Sequence, residues 1–115
     1  MTQNDSLFAC DMTAIALEQR GEHLATIEKV FGSVITQLEL PNGYGFMLPN
    51  ESDVVLTVAQ FIALERLCCP FLGFSVEVVR DGGPIFLSLT GIEGIKPFIM
   101  AEIGEHLPRN ARLGQ

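Results

Sequence analysis

The chain has 115 residues, nearly half of them apolar, the size of one domain with a core of its own. Fourteen acidic residues against seven basic ones give a net charge of -7, the wrong sign for tracking nucleic-acid phosphates or an anionic membrane surface. Residues 1–10 lack the basic start and apolar run of a signal peptide, and no stretch approaches the ~18 apolar residues of a membrane span. Three cysteines, two of them adjacent, make no secreted disulfide framework, so a reducing cytoplasm with free or metal-bound thiols is expected.

Residues 1–12 read as a polar arm with a short apolar patch, Leu7 to Cys10. A single α+β domain is expected over residues 13–104, and residues 105–115, with Pro108 and Gly114, read as a loose tail. The first helix is expected over about residues 16–31. Leu17, Leu24, Ile27 and Phe31 recur at helical spacing, and Glu18, Gln19, Glu22 and Glu28 are left for water. Gly32 follows, where a left-handed C-terminal cap is expected.

Strand chemistry comes next. Val34, Thr36, Leu38 and Leu40 alternate with Ile35, Gln37 and Glu39; Pro41-Asn42-Gly43 turns the chain; Tyr44, Phe46 and Leu48 alternate on the return. Ser52 or Asp53 is placed to cap a helix over about residues 54–69, stopped by Pro70. The layout then repeats. Phe74, Val76 and Val78 precede a turn at Asp81-Gly82-Gly83-Pro84, and Ile85, Leu87 and Leu89 follow it. Thr90 to Glu93 reads as a capping box for a last helix over about residues 92–103; Pro97 fits only if the helix is kinked or starts near Lys96.

The order is therefore an N-terminal helix followed by two hairpin–helix (ββα) units. They are expected to form a four-stranded antiparallel sheet with helices on one face. The other face would carry Ile35, Gln37, Glu39, Val79, Phe86 and Ser88, too apolar a mixture for water, which points to burial in a homodimer.

The chemistry concentrates in residues 61–71, Phe-Ile-Ala-Leu-Glu-Arg-Leu-Cys-Cys-Pro-Phe. At about 100° per residue, Val54, Val58, Phe61, Cys68 and Cys69 share one side of the helix with Glu65. A carboxylate in an apolar stripe has to be paired, protonated or holding a cation. Arg66 points away from it, and Arg20, His23 or Arg80 would reach it only through the fold. Adjacent cysteines also serve as small core residues. Both sulfurs can meet one ion only if the last turn unwinds, which Pro70 favours, and a disulfide between the two neighbours would be strained.

The C-terminal end of a helix disfavours a thiolate, as does a neighbouring Glu65 anion, whereas a bound soft cation reverses both effects. The leading expectation is thus a soft-metal site, for Zn²⁺, Cu⁺ or a similar ion, made by Cys68 and Cys69 with Glu65 beside them and Cys10 as a third donor. A thiol-based redox protein or sensor is the first alternative, and a structural or partner-binding homodimer whose cysteines merely pack is the second. His23 reads as a surface histidine and His106 as part of the tail. No phosphate loop, dinucleotide fingerprint, nucleophile elbow or paired metal-binding histidines occur.

The segment Ala63-Leu64-Glu65-Arg66-Leu67-Cys68-Cys69-Pro70-Phe71 resembles a signature of small uncharacterised bacterial proteins. Leu87 to Lys96 is similar to a second shared block, and Cys10 and the Leu40–Tyr44 turn match further features of that group. The resemblance spans most of residues 10–103. It implies a heavy-metal resistance setting for some members and no assigned activity. Members carry a proline after the Thr-Gly, where this chain has Ile92.

Overall fold

A computed structural model describes residues 8–112 of the chain. Four strands, β1 (Thr36–Leu40), β2 (Gly43–Leu48), β3 (Gly73–Val78) and β4 (Ile85–Thr90), form one antiparallel sheet in the order β1-β2-β4-β3. The helices are α1 (Leu17–Gly32), α2 (Ser52–Cys68), α3 (Ile95–Ile103) and a short α4 (Arg109–Arg112). Single 3-10 turns lie at Met12–Ala14 and Gly104–His106. The fold is α+β with an N-terminal helix, and no helix among the described residues is long and apolar enough to cross a membrane.

A line of four phenylalanines joins helices to sheet. Phe46 on β2 meets Phe31 on α1, Phe31 meets Phe61 on α2, and Phe61 meets Phe74 on β3, each edge to face at 5.2 to 5.9 Å between centroids. That geometry sets the positive edge of one ring on the negative face of the next. Phe31, Phe46 and Phe61 are fully buried. On α3, Ile95, Ile99 and Ile103 form the buried stripe, one turn apart.

Several expectations are corrected by this arrangement. On β1 the inward residue is Gln37, directly opposite Phe46, and Leu38 lies opposite Gly45 and is exposed. The alternation expected on that strand is inverted. Directly paired residues share a sheet face, so Gln37 and Glu39 join the helical side. Gln37 sits 3.9 Å from the Met100 sulfur, and Glu39 accepts from Lys96 at 2.7 Å. Phe86 and Ser88 do occupy the other face, paired with Met47 and Gly45. In α1, Leu17 and Leu24 are exposed, and the buried stripe is His23, Ile27, Val30 and Phe31. Gly32 stays inside the helix rather than forming a left-handed cap.

Of the two starts that Pro97 left open, the one near Lys96 holds: the last helix begins at Ile95, not Ile92. Thr90 is the final residue of β4, so it cannot cap, and Gly94 takes a left-handed φ of 95° that turns the chain into α3. Pro97 then stands third in the helix, where a backbone N–H has no intrahelical partner to lose. The cap of α2 is Glu51, through its backbone, and Asp53 instead pairs with Lys29 of α1. Asp81 and Gly82, with φ of 61° and 74°, make the turn before β4. The expected loose tail instead packs, burying Leu107 and Ala111. Leu7 of the apolar patch and Gly114 of the tail lie outside the described residues.

Candidate thiol and carboxylate site

The site grows from the C-terminal end of α2. One helical turn separates Glu65 from Cys68, so both point toward the packed side, where they are 1% exposed. The helix stops at Cys68. Cys69 leaves helical geometry at φ -127° and ψ 67° while its N–H still bonds the Glu65 carbonyl at 2.8 Å. Pro70 requires this departure. The two sulfurs, which a continuing helix would send in different directions, come to 3.7 Å.

Cys10 arrives from the N-terminal arm. Phe8 packs its ring against Phe71 and Phe98, at 5.3 and 6.1 Å between centroids. The Asp11 N–H donates to the Cys68 carbonyl at 2.9 Å, satisfying an end-of-helix acceptor. Asp11 also caps the following turn by accepting from the Thr13 N–H, and the Thr13 hydroxyl, followed by that N–H, holds its carboxyl below the ordinary range. Thus anchored, Cys10 forms a disulfide with Cys69, with Cα atoms 4.7 Å apart and 59 residues between them in sequence. This departs from the expectation of free or metal-bound thiols. Cys68 is the free cysteine of the site.

Two carboxylates flank the sulfurs. Glu65 places Oε2 3.4 Å from the Cys69 sulfur and Oε1 3.8 Å from that of Cys68. Glu102, from α3, lies 3.8 Å from the Cys10 sulfur. A disulfide sulfur has no hydrogen to donate, so the contacts to Cys10 and Cys69 become S–H donations only in the reduced form. Glu102 is pushed up from the ordinary carboxylate value, first by burial and then by the Glu65 charge, with His106 and His23 opposing. The Cys68 thiol is pushed up to about 12, chiefly by burial, then by the charges of Glu65 and Glu102.

His23 completes the group. Its Nε2 lies 2.8 Å from Oε1 of Glu65, with both side chains buried, and its ring stacks on Phe61 at 6.1 Å. The expectation of a surface histidine fails because α1 turns the 23–27–30–31 stripe onto α2. Of the residues singled out from sequence, Cys10, Glu65, Cys68 and Cys69 come together. The sulfurs of the three cysteines lie within 4.8 Å of one another, as do donor atoms of His23, Glu65 and Cys68, and of Cys10, Glu65, Cys69 and Glu102. Of the three basic residues that could reach Glu65 only through the fold, His23 is the one that does, and Glu102 joins the group with no expectation behind it. The Ile95–Ile99–Ile103 stripe puts position 102 beside the buried face of α3, the one sequence signal for Glu102. No protein family, no curated protein and no solved structure matches this chain.

Proposed function

We propose that the reduced protein binds one soft metal ion, Zn²⁺ or Cu⁺, through Cys10, Cys68 and Cys69, with Glu65 as an oxygen donor and His23 holding Glu65 in place. One observation carries this reading: three sulfurs and a buried carboxylate converge at a helix end. His23 partners Glu65, but buried thiolates beside that carboxylate would require a further cation. A soft ion supplies one and favours the thiolates that burial and the helix end oppose.

The spacing supports the same reading. Two thiolates each ~2.3 Å from one ion at a tetrahedral angle are about 3.8 Å apart; Cys68 and Cys69 are at 3.7 Å. Cys10 and Cys69 first have to be reduced, which suits a cytoplasmic protein. A ligand histidine ordinarily has a hydrogen-bonded carboxylate behind it. Here the relation is reversed, with the carboxylate nearer the sulfurs and the imidazole behind.

Native mass spectrometry of reduced protein with substoichiometric Zn²⁺, Cu⁺ and Hg²⁺ tests this. One ion per chain is expected, lost when Cys68 and Cys69 are both replaced by alanine in a variant with unchanged circular dichroism. Ion binding indifferent to that double substitution removes the proposal.

A further inference from the structure

The disulfide and the unequal burial of its two cysteines lead to an activity distinct from metal binding. We propose that Cys10 and Cys69 are a reversible dithiol–disulfide couple that exchanges with small solvent thiols, Cys10 being the sulfur attacked and Cys69 the sulfur released.

The two halves of the disulfide face different surroundings. Cys69 is 0% exposed and the neighbouring Cys68 1%, whereas Cys10 is only half-buried on the arm. Exchange needs a thiolate to reach one sulfur of the bond, so access selects Cys10. Attack from inside by Cys68 on Cys69 would create a disulfide between sequence neighbours, whose geometry is strained.

The released sulfurs have acceptors already positioned. As a thiol, Cys69 donates to Oε2 of Glu65 from 3.4 Å, and Cys10 faces Oε2 of Glu102 at 3.8 Å. These carboxylates have no S–H to accept from either sulfur while the disulfide stands, so reduction adds interactions. These added interactions offset part of the loop-closure gain of the link, which moves the couple toward exchange.

The step balances as follows. A solvent thiol gives up its proton, and its sulfur bonds Cys10. The Cys10–Cys69 bond breaks, its electron pair stays on Cys69, and Cys69 takes up one proton. A second solvent thiol attacks the mixed disulfide at the solvent-derived sulfur, releasing the small-molecule disulfide and leaving Cys10 as a thiol. Cys10 and Cys69 gain two electrons and two protons, and two small thiols are oxidised to one disulfide. The couple stands whether or not an ion binds. If one does, oxidation withdraws two of its three sulfurs, so disulfide and ion exclude each other.

The full-length protein, with chelator present, is equilibrated in reduced and oxidised glutathione at varied ratios, acid-quenched, alkylated and mapped by mass spectrometry. The expected result is reversible interconversion of a Cys10–Cys69 disulfide, with glutathione caught on Cys10. In Cys69→Ser protein, which cannot close the disulfide, glutathione accumulates on Cys10 at least about tenfold over Cys68, in line with the role of access in exchange. Should that variant not fold, early quenching of the native chain reads the same thing, glutathione on Cys10 and alkylation on Cys69. Glutathione on Cys68 or Cys69 in preference to Cys10, a disulfide that never forms, or one that no ratio reduces would overturn the proposal. Ion binding is read separately without glutathione, so its failure leaves this result untouched.

Discussion

His23 and Glu65, 42 residues apart in the chain, meet at 2.8 Å between Nε2 and Oε1 inside the α1–α2 contact. When Glu65 is ionised it can only accept, so Nε2 carries the proton. The other ring nitrogen, Nδ1, is buried without a hydrogen-bond partner among the described residues. The contact ties α1 to the turn of α2 that carries the thiols, so the orientation of Glu65 depends on a residue from a different helix.

Breaking this pair leaves a buried carboxylate alone. His23→Leu is expected to cost about 3 kcal/mol, the lower end for removing one partner of a buried pair. Urea unfolding would show a lower midpoint at unchanged slope. The double substitution His23→Leu with Glu65→Leu should regain much of that loss, because well-packed apolar replacements of buried pairs are often neutral. If both variants lose equally, the pair is not the cause.

Alkaline pH should destabilise the fold through Cys68. The unfolded thiol loses its proton near 9.0, whereas the folded one holds it to about 12. Between those values the unfolded state binds fewer protons, so stability falls as pH rises. The contribution is complete below 9.0 and is lost progressively toward 12. Chemical denaturation across this window should show the decline, and Cys68→Ala should remove it.

Phe61 is the hub of the aromatic line, in contact with Phe31, Phe74 and His23. Its replacement by alanine is expected to cost about 3–5 kcal/mol, the usual range for a buried phenylalanine. The same substitution removes the surface on which the imidazole stacks, so it should also weaken ion binding by the reduced protein. Unfolding curves and ion titrations of one preparation check both.

The Cys10–Cys69 link closes a long loop, 59 residues in separation. Loop-closure entropy for that length predicts about 4 kcal/mol greater stability for the oxidised form. Paired denaturation curves with and without reductant measure the difference directly. Equal midpoints would mean that the arm's remaining contacts already hold it against the domain.

Much of this site was legible because α2 carries it locally. Glu65, Cys68 and Cys69 lie one turn apart, and helical spacing alone puts them on the Val54–Phe61 face. Cys10 could be nominated as a thiol, but its pairing with Cys69 depends on a chain reversal that no local pattern encodes. His23 was obscured because two stripes fit α1. Leu17, Leu24 and Phe31 recur every seven residues, while His23, Ile27, Val30 and Phe31 follow the turn more closely. The second stripe prevails where Glu65 gives His23 a buried partner. On β1, apolar alternation favoured Leu38, yet register sets the face, and Gln37 falls opposite Phe46. For α3, Pro97 points to the observed start near Lys96, whereas the capping pattern at Thr90 misleads because a left-handed Gly94 overrides it.

The central claim is a thiolate-held ion, and X-ray absorption at the metal edge of reduced protein loaded with one equivalent of Zn²⁺ tests it most directly. The account predicts a shell of three sulfurs at ~2.3 Å with one lighter donor, and two sulfurs after Cys10→Ser. A shell made of oxygen and nitrogen alone, unchanged when Cys68 and Cys69 are replaced, would contradict it.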